Sequence, residues 1–92
     1  MNIANKLRIK QFLCKHKIVD YITKILYFEE QEDLLKISNC KIFLKSCNMT
    51  DEDILKCKKI LVNIYKKYGL YIGDGCSEDC FNNAVLPYIN SL

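Results

Sequence analysis

The chain has 92 residues, half of them hydrophobic, with one Pro and three Gly, which excludes a disordered or fibrous protein and fits a single small domain. The net charge of +3 is mild, with 11 acids interspersed among 14 basic residues, unlike the dense basic face of a strong nucleic-acid binder. No apolar run approaches the ~18 residues of a membrane span, and Lys6, Arg8 and Lys10 interrupt any signal-peptide core. An intracellular, cytoplasmic protein with no membrane span is therefore expected.

The hydrophobic pattern repeats every three to four residues along most of the chain, which predicts an all-α, compact bundle of four to five helices. Residues 2–15 predict the first helix, with Leu7, Phe12 and Cys14 facing inward. Residues 19–30 predict the second, on the row Ile18, Ile22, Ile25 and Phe28. A break near His16 separates the two or bends one helix. Residues 32–47 are less regular: Leu34, Leu35 and Ile37 open a helix that Ser38 and Asn39 interrupt by competing for backbone hydrogen bonds, and a short strand is the alternative.

Residues 51–68 carry the clearest helix. Thr50 is a capping residue and Asp53 stands at the capping-box position. Ile54, Cys57, Leu61, Ile64, Tyr65 and Tyr68 form one apolar stripe, with acids at the start and Lys66 and Lys67 at the end to complement the helix dipole. Gly69 then supplies a left-handed closing residue. Leu70-Tyr71-Ile72 reads as extended and Gly73-Asp74-Gly75 as a turn. Ser77 caps a last helix with Phe81, Ala84, Val85 and Tyr88 on its inner face, which Pro87 is expected to kink or end.

The six cysteines stand at 14, 40, 47, 57, 76 and 80. Without an export signal they read as mainly reduced, and Cys14, Cys40 and Cys57 sit among apolar neighbours as core filler. Cys47 and Cys57 are a candidate disulfide if the helices on either side of residues 48–50 pack antiparallel. Cys76 and Cys80, four apart at a helix start, are a candidate redox pair because the dipole there lowers a thiol pKa, although Glu78 and Asp79 between them oppose that. Cys76 and Cys80 with His16, Cys40 or Cys47 are too scattered for a zinc site, which needs four ligands, so no metal is expected.

His16, the sole histidine, reads as a surface residue among lysines. The chain holds no phosphate-binding loop, dinucleotide fingerprint or nucleophile elbow, so no catalysis and no cofactor are expected. Six Tyr are too many to bury in so small a core with every hydroxyl satisfied, and exposed Tyr is enriched at interaction sites. The expected function is that of a small accessory protein working by protein–protein contact or self-association, through Tyr27, Tyr71, Lys59, Lys66 and Lys67. Alternatives are nucleic-acid binding through the lysine clusters and thiol or metal chemistry at Cys76 and Cys80. Lys outnumbers Arg 13 to 1 and Ile and Asn are abundant, a bias that matches AT-rich codons and a low-GC genome such as a virus or parasite carries.

Overall fold

The computed structural model describes residues 3–92, and the predicted helix start at Asn2 lies outside them. The chain folds into one all-α domain. Helices α1 (Ile3–Leu13), α2 (His16–Glu30), α3 (Leu34–Ser46) and α4 (Asp51–Lys67) are followed by α5, residues 78–90. α5 runs through Glu78–Cys80, a wide π turn at Phe81–Val85, and Leu86–Asn90. The radius of gyration is 12.3 Å, matching the ~12 Å of a compact chain of this length. No strand forms among the described residues, so the strand alternative for residues 32–47 is corrected to helix.

α2 is central and packs on α1, α3 and α4. Its buried row, Ile18, Val19, Ile22 and Ile25, meets Cys40 and Leu44 of α3 and Ile54, Cys57, Leu61 and Ile64 of α4 in one core. α5 closes it with Phe81, Val85 and Ile89. α1 contributes Ile9, Phe12 and Leu13. Leu7 and Cys14, expected inward, are exposed. α1 buries only the face that reaches the bundle, which leaves Ile3 and Leu7 on an outer row.

Helix ends follow capping chemistry. The predicted capping box forms: Thr50 Oγ1 accepts from the Asp53 N–H at 3.1 Å, and the Asp53 carboxylate accepts from the Thr50 N–H at 2.9 Å. Three helices close alike through a left-handed residue, Glu32, Asn48 or Gly69. The next N–H returns to a carbonyl five back: Asp33 to Phe28, Met49 to Leu44, Leu70 to Tyr65. The predicted interruption at Ser38 and Asn39 does not occur. Both are exposed on α3, so their weak helix propensity is outweighed by the packing of Cys40 and Leu44 on the other side.

Pro87 does not end α5, but regular α geometry is lost in the turn before it. Proline lacks an N–H and its ring presses on the carbonyl four residues back. The π turn precedes it, with the Leu86 N–H reaching five residues back to Phe81 O. That wider turn moves the carbonyls apart and the helix continues through Pro87.

Candidate functional site

A groove of about 460 Å³ lies between α1, α4 and the end of α5. Its apolar lining is Ile3, Leu7, Ile9 and Leu13 from α1, Ile60 from α4, and Tyr88 and Leu92 from the C-terminal end. Ile9 and Leu13 point into the bundle, while Ile3 and Leu7, one turn apart, form a second apolar row along the rim. Lys6, Lys10 and Asn63 supply its polar side chains together with the Tyr88 hydroxyl, and no Asp or Glu side chain lines it. Lys10 Nζ donates to the Leu92 carbonyl at 3.4 Å, tying the C-terminal end to the rim.

Opposite this row, Arg8 anchors α1 to the start of α4. Its guanidinium meets the Asp53 carboxylate at 2.8 Å and donates to the Asn48 carbonyl at 2.8 Å. The Arg8 bond holds the Asp53 carboxyl below its usual range, helped by the Thr50 N–H and hydroxyl and opposed by burial. The side chain that completes the capping box thus also fixes one wall of the groove.

The predicted interaction residues do not share one concavity. Tyr27 is half-buried, edge-on to Phe28 at 5.5 Å between ring centres. Tyr71 is 85% exposed in the α4–α5 connection. Lys59 borders a shallow hollow with Leu26, Leu55 and Val62. Lys66 and Lys67 are exposed in the last turn of α4. Lys67 reaches the groove's edge, with Nζ 5.3 Å from the ring centre of Tyr88. The lysine cluster of α4 is partly neutralised, with Lys56 on Glu52 at 2.9 Å and Lys58 on Glu29 at 2.6 Å.

A second, polar corner surrounds Cys76. The Asp20 carboxylate accepts from the Cys76 N–H at 2.7 Å, and Lys24 pairs with Asp20 at 3.2 Å. His16 Nε2 hydrogen-bonds the Cys76 carbonyl at 2.5 Å, and its ring packs on Phe81. His16 is therefore half-buried and engaged, a correction to its reading as a surface residue among lysines. The start of α2 and the start of α5 are neighbours, and the ring fills the space between them. Deeper in, Tyr65 and Thr23 are buried, with their hydroxyl oxygens 2.8 Å apart.

Cys76 is buried and its thiol is pushed up to about 11, chiefly by burial, with Cys80 and Asp20 adding and the Tyr65 hydroxyl opposing. Burial thus outweighs the helix start that was expected to activate it. Cys80 is half-buried at the edge of the same corner. Cys57 lies on the inner face of α4 with its thiol pushed up to about 12, mainly by burial. Cys47 closes α3 and is half-buried. Both are free thiols, as are the other four. Among the described residues no group of three or more His, Cys, Asp or Glu could hold a metal ion.

Three features carry no local signal in the sequence: the Arg8–Asp53 pair, the His16–Cys76 bond and the Tyr65–Thr23 contact join residues 42 to 60 apart. The groove was not legible either: Leu7 was expected to face inward, and it stands exposed with Ile3 on the rim. Compared with known proteins, the chain matches no family model, no curated protein and no solved structure. Among the described residues no helix is long and apolar enough to cross a membrane.

Proposed function

We propose that the protein is a non-catalytic helical module that acts by protein–protein contact, with the α1–α4–α5 groove as its docking site. The observation that carries this reading is the lining: a concave, apolar floor with Lys6 and Lys10 and no Asp or Glu side chain. Such a surface takes an amphipathic segment whose apolar residues enter the groove and whose acids meet Lys6 and Lys10. Burial of Cys76 and Cys57 supports a packing role for these residues.

A photo-crosslinking residue at position 7, in cells that naturally make the protein, tests the reading. One protein partner is expected to crosslink there, and a K6E/K10E background is expected to abolish it. A crosslink that survives K6E/K10E, or none at position 7, overturns the proposed site. Salt-dependent binding of nucleic acid without a protein partner overturns the function.

A further inference from the structure

The cap of α5 brings Cys76 and Cys80 together. Ser77 is extended, with φ −65° and ψ 158°, and its Oγ accepts from the Cys80 N–H at 3.1 Å. A cap of this kind folds the residue before it back along the first helical turn. The Cys76 thiol therefore lies against the Cys80 thiol and the Tyr65 hydroxyl. Both cysteines line one hollow of about 540 Å³, together with Asp20, Tyr65 and Tyr71.

The two sulfurs are held unequally. The Cys76 backbone is fixed at both of its polar groups. Its N–H donates to the Asp20 carboxylate at 2.7 Å, and its carbonyl is bonded by His16 Nε2 at 2.5 Å. The residue is 5% exposed, and its thiol donates to the Ser77 carbonyl at 3.6 Å. Cys80 is half-buried on the wall of the hollow. An oxidant thus meets Cys80 first, with the buried thiol waiting beside it, as in a reactive cysteine with its resolving partner. Cys40 and Cys57 are buried in the core, and Cys14 is exposed on α1 beside Leu7, so none of these shares the hollow.

We infer that Cys76 and Cys80 are a peroxide-sensitive pair that closes to a reversible disulfide. The Cys80 thiolate attacks one oxygen of hydrogen peroxide. The O–O bond breaks, the other oxygen leaves as hydroxide, and Cys80 becomes a sulfenic acid. The Cys76 sulfur then attacks the Cys80 sulfur. The S–S bond forms as the S–O bond breaks, and the Cys76 proton leaves with the hydroxide as water. Two thiols are oxidised and one peroxide is reduced to two waters. A reducing dithiol reopens the bridge by exchange. Neither cysteine lines the α1–α4–α5 groove, so the inference stands or falls independently of the groove reading.

Peroxide treatment of the native full chain in a Cys14→Ser background, followed by alkylation and peptide mass mapping, tests it. The dose is one that consumes free cysteine in a parallel sample. A loss of two hydrogens is expected on the peptide that carries positions 76 and 80, restored by dithiothreitol, while Cys40 and Cys57 remain thiols. In Cys76→Ser, oxidation is expected to stop at a Cys80 sulfenic acid that dimedone traps. In Cys80→Ser, a change at a half-buried position, Cys76 is expected to stay a thiol and the helical circular dichroism to stay unchanged. Intact thiols at 76 and 80 after that dose, a bridge from either of them to another cysteine, or dimedone on Cys76 in Cys80→Ser overturns the inference.

Discussion

Replacing Tyr65 by Phe removes one hydroxyl from the driest polar contact in the bundle. Thr23 Oγ1 has a single proton, and it donates to the Val19 carbonyl at 2.8 Å. The Oγ1 lone pairs therefore accept from the Tyr65 hydroxyl, also at 2.8 Å. Tyr65→Phe leaves Thr23 with its own donated bond and forfeits one accepted bond, a net loss of about 1 kcal/mol. Thr23→Val is worse. It strands the phenol hydroxyl in a site where that group has only the Cys76 thiol to turn to, and an unmet buried donor costs ~1–3 kcal/mol. The double variant removes both polar partners and keeps the shape, so its loss should be well below the sum of the singles, with a coupling of about 1 kcal/mol or more. Urea unfolding followed by circular dichroism reads the midpoints at constant slope, and in thermal unfolding each 1 kcal/mol is ~4–8 °C for a domain of this size. Single-variant losses that add to the double loss within ~0.5 kcal/mol would refute the geometry, as would Tyr65→Phe costing more than Thr23→Val.

The Asp53 carboxyl has a lower pKa folded than unfolded because Arg8 bonds to it. The stability it contributes is present above its unfolded pKa of ~3.9 and lost as pH falls through the folded value. Urea midpoints between pH 2 and 6 should show that limb in the wild type and a flatter one in Asp53→Asn. Gly69→Ala should cost about 1 kcal/mol by strain alone, since Gly69 has φ +63° and open space around it. Gly75→Ala should cost more, because its Cβ would fall 2.6 Å from the Asp20 carboxylate, and should also release Cys76 to thiol reagents. In the native wild type, alkylation followed by peptide mass mapping should label exposed Cys14 first. Cys40, Cys57 and Cys76, all buried, should stay protected until unfolding.

The helices were largely legible because their signals are local. Thr50 and Asp53 build the capping box that their spacing announced, and Gly69 closes α4 as its position implied. Glu32 and Asn48 do the same work on α2 and α3; Asn is a recognised left-handed type whose signal went unread, whereas Glu carries none. α3 was misjudged at Ser38 and Asn39 because propensity is a weak local term and the packing of Cys40 and Leu44 is stronger. Pro87 disturbs α5 as its missing N–H implies, but as a π turn just before it and not as an end, and a π turn has no simple sequence mark. The site was less legible. Exposed tyrosines pointed to contact surfaces, and Tyr71 is indeed open to solvent. The groove needs α1, α4 and α5 brought together, and only the folded chain shows that Leu92 meets Lys10.

The central claim is that the groove binds a protein segment through its apolar floor and its lysines. The most direct measurement is mass-spectrometric mapping of the crosslinked complex recovered with a photo-reactive residue at position 7. The groove account predicts that the partner peptide attached there carries apolar residues at helical spacing flanked by acids, and that K6E/K10E removes the crosslink. A partner peptide rich in lysine, or a crosslink indifferent to K6E/K10E, would contradict it.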